Sequence, residues 1–118
     1  MTIPPEPIEI RAPEGARMME IRWDDGVTTH HPHRILRAFC PCAICQGHTG
    51  RIVYTESVDA LPDSALEIRD LATSGSYALR LTWGDGHNTG IYTFRYLREL
   101  APLWEATNDE VRTATFGR

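Results

Sequence analysis

The chain has three cysteines, and all of them fall in the run Cys40-Pro41-Cys42-Ala43-Ile44-Cys45, spaced C-x-C-x2-C. An odd number of thiols cannot pair completely within one chain, and a Cys40–Cys42 bridge would close a small, strained ring. Thiols confined to one loop read as a metal site rather than a disulfide framework. A zinc ion suits thiolates and usually takes four ligands in a tetrahedron, so a fourth donor must come from elsewhere. Neutral imidazole is the usual partner, and the candidates are His30, His31, His33, His48 and His87. The first three flank Pro32 at a strand end, where exposure to water explains them. His48 lies three residues after Cys45 and would complete a compact local knuckle. His87, 42 residues after Cys45, would instead tie the loop to a remote turn. Spacing leaves these two level.

The elements that must position these residues are short. Residues 1–7 are proline-rich and read as a loosely held entry, and residues 8–10 as a short strand. Residues 18–23 alternate, with Met19, Ile21 and Trp23 on one face. Asp25-Gly26 closes a hairpin, because Asp-Gly accepts the positive φ such turns need, and residues 27–31 return. Pro32 stops that strand and opens a helix over 33–39. Cys40 precedes Pro41, a position that disfavours helical geometry, so the helix ends where the cysteine loop begins. Residues 46–63 carry little pattern beyond a weak strand at 52–54. Alternation predicts strands at 66–71 and 77–83, the latter with Tyr77, Leu79, Leu81 and Trp83 on one face. Phe94, Leu97, Leu100, Leu103 and Trp104 recur at helical spacing, with Pro102 near the helix end. Residues 108–118 are polar and read as a frayed helix or tail.

One pattern occurs twice. Trp23-Asp24-Asp25-Gly26 and Trp83-Gly84-Asp85-Gly86 share W-x-D-G, each after an alternating strand. Each is followed by a Leu-Arg pair in a predicted helix, Leu36-Arg37 and Leu97-Arg98. The fold class expected is therefore α+β: antiparallel β-hairpins and two short helices around a Cys3His site, in a small single domain over 1–118 with its core at about 8–104 and flexible N- and C-terminal tails. Trp23 and Trp83 are expected to anchor that core. Arg34, Arg37, Arg95 and Arg98 could line an anion-binding patch if the two helices lie together, although a solvated surface is the better reading.

The totals narrow the function classes. A formal charge of -4 and a pI near 5.7 argue against nucleic acid as a partner. All twelve basic residues are arginine, which genome composition explains. No apolar run approaches the roughly 18 residues of a membrane span, and the first residues lack the basic-then-apolar order of a signal peptide. Free thiols fit a reducing cytoplasm.

Residues 19–26, 35–45 and 75–97 carry the motifs IRWDDG, ILRAFCPCAIC and GSYALRLTWGDGHNTGIYTFRYL. Their conjunction resembles the DUF971 family, also called the gamma-butyrobetaine hydroxylase-like N-terminal domain. The resemblance implies zinc held by Cys40, Cys42, Cys45 and His87, which favours His87 over His48. In carnitine-pathway dioxygenases such a domain precedes a separate catalytic domain using iron and 2-oxoglutarate. Here no histidine is followed two residues later by Asp or Glu, so the usual iron-binding element is missing. Similar domains also accompany P-loop proteins of iron–sulfur assembly, but G-x-x-x-x-G-K-[ST] is absent.

The leading expectation is a non-catalytic zinc module, not an enzyme, that binds another protein as an interaction or accessory domain. The alternative is an accessory or carrier protein of iron–sulfur biogenesis, in which the same ligands hold iron or a cluster. A zinc hydrolase is third; it would need an open metal position and an acid or base such as Asp85 or His48.

Overall fold

In the computed structural model, residues 4–47 and 50–117 are described. Strands β1 (Pro7–Arg11), β2 (Met18–Trp23) and β3 (Thr28–Pro32) form an antiparallel sheet in the order β1-β2-β3, and helix α1 (His33–Ala38) follows directly. A one-turn helix α2 (Ala43–Gln46), a short strand β4 (Arg51–Val53) and two 3-10 turns (Glu56–Ala60, Asp63–Leu66) come next. The pattern then repeats: β5 (Ile68–Ser74), β6 (Ala78–Trp83) and β7 (Ile91–Thr93) form a second antiparallel sheet, followed by α3 (Phe94–Leu100). A 3-10 turn (Ala101–Glu105), α4 (Asn108–Thr113) and β8 (Thr115–Gly117) finish the chain. β8 pairs antiparallel with β4. The result is the small α+β domain expected, with short helices beside antiparallel hairpins.

Period-2 alternation builds both central strands. Met19, Ile21 and Trp23 of β2 and Leu79, Leu81 and Trp83 of β6 are buried and belong to one hydrophobic cluster. Each hairpin turns through a glycine at positive φ, +87° at Gly26 and +91° at Gly86, a region open to glycine at no steric penalty. The two turns make the same bonds: Trp23 N–H donates to Val27 O and Gly26 N–H to Trp23 O, as Trp83 N–H donates to His87 O and Gly86 N–H to Trp83 O.

The two units clasp each other reciprocally. Arg37 of the first helix forks onto Asp85 of the second turn at 3.1 and 2.9 Å. Arg98 of the second helix reaches Asp25 of the first turn at 3.0 Å. Each guanidinium also lies over the other unit's tryptophan, Arg37 at 5.7 Å from the Trp83 centroid and Arg98 at 5.1 Å from that of Trp23. The first residue of each helix completes the exchange: His33 packs edge-on against Trp83 and Phe94 edge-on against Trp23. The twofold W-x-D-G pattern is thus the sequence trace of a pseudo-symmetric pair. Each of the four arginines considered for an anion patch has a carboxylate neighbour: Asp59 for Arg34, Asp85 for Arg37, Glu99 for Arg95 and Asp25 for Arg98.

Several expectations need correction. The strand expected over 66–71 begins at Ile68, because Asp63–Leu66 is a 3-10 turn after Pro62. Tyr77 precedes β6 and is exposed rather than inward-facing. α3 stops at Leu100 and tightens to 3-10 geometry around Pro102, which has no N–H to continue the α ladder. That change of pitch turns Trp104 outward, where it stacks on His30 with ring centroids 5.4 Å apart. The segment after residue 107 is an ordered helix and strand rather than a frayed tail. Thr107 and Glu110 form a reciprocal capping box, and Phe116 packs edge-on against Phe39 and Tyr96.

His31 and His33 are buried, not solvated. Trp23 Nε1–H donates to Thr29 Oγ1 at 2.8 Å, and Thr29 Oγ1 lies 2.8 Å from His31 Nε2. The indole can only donate, so Thr29 Oγ1 accepts from Trp23 and keeps both a lone pair and a proton with which to meet His31 Nε2 in either tautomer. Burial, aided by the neighbouring His30 charge, pushes the His31 pKa down to about 4. The unfolded chain therefore binds this proton first. The stability contributed by neutral His31 is full above roughly pH 6.5 and is lost as pH falls toward the folded value. Urea midpoints measured from pH 7 to 4 should fall more steeply for the wild type than for His31→Gln; parallel curves would contradict this role.

Candidate metal centre

The cysteine loop is positioned from three directions. α1 ends with carbonyls that have no partner inside the helix, as every helix does. Tyr92 Oη–H donates to Leu36 O at 2.5 Å and Tyr96 Oη–H to Phe39 O at 2.6 Å. Both tyrosines belong to the second unit, so the end of the first helix is held by the second copy. Cys40 N–H still reaches Arg37 O at 3.3 Å, after which Pro41 takes the chain out of helical geometry. Buried Gln46 closes the loop: its Nε2 donates to Cys40 O at 3.1 Å and Val53 O at 3.0 Å, and its Oε1 accepts from Val53 N–H at 3.0 Å.

His87 arrives on the second hairpin turn. Asp85 Oδ1 accepts its backbone N–H at 3.2 Å, and its carbonyl accepts from Trp83 N–H at 2.9 Å. These bonds leave the ring directed at the cysteine loop. Its Nε2 lies 3.5 Å from Cys40 Sγ, 3.7 Å from Cys42 Sγ and 3.5 Å from Cys45 Sγ. Metal–sulfur and metal–nitrogen bonds of ~2.3 and ~2.05 Å at tetrahedral angles give a sulfur–nitrogen edge of ~3.6 Å. The three sulfur–nitrogen distances match that edge length. All four donor atoms lie within 4.8 Å of one another. A Cys3His group close enough to hold a metal ion is therefore present.

The surroundings fit a cation. Cys40 is buried, and burial pushes its thiol well above the usual range. Burial raises Cys45 as well, with Cys42 adding to the shift. At Cys42, burial acts upward but is outweighed by hydrogen bonds from the Thr89 side chain, the Cys45 backbone and the neighbouring thiols, so its pKa is lowered. Burial and the Arg37 charge lower the His87 pKa, leaving a neutral ring with a free lone pair near pH 7. Three clustered thiols resist ionising together; a divalent cation supplies the charge that converts them to thiolates.

Of the other candidates, His30 stacks on Trp104, His31 bonds Thr29, and His33 Nδ1 bonds Leu66 O at 2.8 Å. His48 lies outside the described residues. Asp85, weighed as an acid or base, is an ion-pair partner, and the Arg37 hydrogen bond holds its carboxyl down at about 2. Sequence reasoning missed the supporting residues Arg37, Gln46, Thr89, Gly90, Tyr92 and Tyr96. Only Arg37 had a usable signal, its place in the repeated Leu-Arg pair.

A small α+β domain built of two clasped hairpin–helix units, with a Cys3His cluster at their junction, defines the class of protein. Residues 10–98 match the family model described as gamma-butyrobetaine hydroxylase-like, N-terminal. The chain belongs to this family. It is similar to a protein of unknown function of the DUF971 family from Acidithiobacillus ferrooxidans, seen by crystallography: 36% identity over 80% of this chain and 91% of that one, with a TM-score of 0.57. Two NMR solution structures are also similar. One is 27% identical over 89% of this chain and 80% of that chain, with a TM-score of 0.63. The other is 26% identical over 83% of this chain and 77% of that chain, with a TM-score of 0.55.

Gly90 tests the packing of the centre. A Cβ added there would meet Cys40 Sγ at 2.6 Å and the Tyr92 ring at 3.2 Å. Gly90→Ala should displace the Cys40 sulfur, lower the thermal midpoint by several degrees and make Cys40 more reactive toward a thiol reagent. Unchanged melting and labelling would show that the contact is not needed.

Proposed function

We propose that this chain is a non-catalytic zinc-binding module, in which Cys40, Cys42, Cys45 and His87 hold one Zn2+, and that it acts by binding another protein. The observation that carries this reading is the single imidazole nitrogen at near-equal distance from three sulfurs. Donors that converge on one point suit one ion. An iron–sulfur cluster spreads its ligands over separate iron atoms and needs them farther apart. Four protein donors fill a tetrahedron and leave no position for water or substrate, which is the arrangement of structural zinc. When bound, the ion supplies a crosslink between α1's C-terminal loop and the second hairpin turn.

The magnitude supports a structural role. Zinc in small finger domains contributes an apparent ~10–16 kcal/mol to folding near pH 7, comparable with the whole stability of a domain this size. The ion pair that engages Asp85 with Arg37 agrees with a binding module. Three thiolates suit a reducing compartment such as the cytoplasm, and no helix among the described residues is long and apolar enough to cross a membrane.

Protein purified without added metal should contain one zinc per chain and be colourless. Removing the zinc with a chelator should abolish the cooperative thermal transition, and zinc should restore it. A visible absorption band with stoichiometric iron and sulfide would replace this reading with the cluster-handling one. An unchanged melt after complete metal removal would contradict the structural role.

His87→Ala should lose zinc and lower the thermal midpoint, while His48→Ala should retain both. The reverse result would move the fourth ligand to the loop.

A further inference from the structure

We infer that Arg37 is the positioning residue of the metal centre: its fork on Asp85 sets the turn that presents His87, so the guanidinium links both halves of the ligand set without being a ligand. The inference rests on the metal reading above. Arg37 is three residues from Cys40, and its carbonyl accepts the Cys40 N–H at 3.3 Å. Its Nη1 and Nη2 donate to the two carboxylate oxygens of Asp85 at 3.1 and 2.9 Å, and Nη1 also donates to Ala65 O at 3.1 Å. Asp85 Oδ1 in turn accepts the His87 N–H at 3.2 Å. A continuous hydrogen-bond path therefore runs from the helix end that carries the thiols to the backbone of the imidazole ligand. The fork, the third bond and the Trp83 face restrain every degree of freedom of the guanidinium, and its side chain is only 10% exposed.

The fold contains a matched control. At the pseudo-equivalent junction Arg98 bonds Asp25, Asp25 Oδ1 accepts the Val27 N–H at 3.2 Å, and Arg98 covers Trp23. Val27 occupies the place of His87, so this junction has an arginine–aspartate clasp, through one bond in place of a fork, and no imidazole. A loss of general docking between the units would register at both junctions. A loss of ligand positioning would register at one.

The test measures Zn2+ affinity by chelator competition, and the Co2+ ligand-field spectrum, for the wild type and for Asp85→Asn, Asp25→Asn, Arg37→Met and Arg98→Met. Asparagine keeps the shape and the turn bond of aspartate, so the Asn pair decides the matter if the Met variants do not fold. Asp85→Asn and Arg37→Met should weaken Zn2+ binding by about 10–100-fold, the usual loss when a group behind a ligand is removed, and shift the Co2+ bands. Asp25→Asn and Arg98→Met should leave both unchanged. Equal losses at the two junctions, or none at Asp85, would overturn the inference with the metal reading intact. A wild type that binds neither ion would instead overturn the metal reading itself.

Discussion

Two segments far apart in the chain must arrive at one point, and that convergence is the constraint on which the structure depends. The thiols sit where α1 ends, and the imidazole sits on the turn of a hairpin more than forty residues later. Neither segment could hold its place alone: α1 has six residues, and residues 84–90 between β6 and β7 are irregular. Isolated helices of this length are not stable in water. Their positions come from the reciprocal clasp, in which each unit supplies an arginine and a helix-opening ring to the other unit's turn and tryptophan.

The clasp is nearly symmetric, while the chemistry is not. One junction carries the three sulfurs and His87. The other carries Val27 and the 3-10 turn Ala101–Glu105, with Leu103 buried and Trp104 stacked on His30. Apolar packing closes one end of the domain and a polar cluster closes the other. The junction bearing the thiols also gathers the most elaborate polar support: Tyr92 and Tyr96 on the helix carbonyls, Gln46 across the loop, Thr89 beside Cys42 and Arg37 on the turn.

Much of this was legible in the residues. The alternation of 18–23 and 77–83, the two Asp-Gly turns and the helices opening after Pro32 and Thr93 appear where period and turn chemistry place them. The cysteine spacing marked the centre, but spacing alone left His48 level with His87; only the resemblance to a family separated them. What pattern could not reveal is long-range. Arg37 and Arg98 looked like surface charges because their partners lie on the other unit. His31 and His33 looked solvated because polar residues beside a proline usually are, whereas the Trp23–Thr29–His31 chain satisfies one of them inside the core. The C-terminal strand was hidden for a similar reason: Thr115–Gly117 has no alternation of its own and is a strand only because β4 lies beside it. Local periodicity reports which face is buried, not what it is buried against.

X-ray absorption at the zinc edge of the zinc-loaded protein bears most directly on the central claim, because it counts the atoms around the ion. A closed centre drawing on both segments predicts a first shell of three sulfurs and one imidazole nitrogen, with no bound water. A shell with fewer sulfurs, with an oxygen in place of the nitrogen, or with an additional exchangeable water would contradict it.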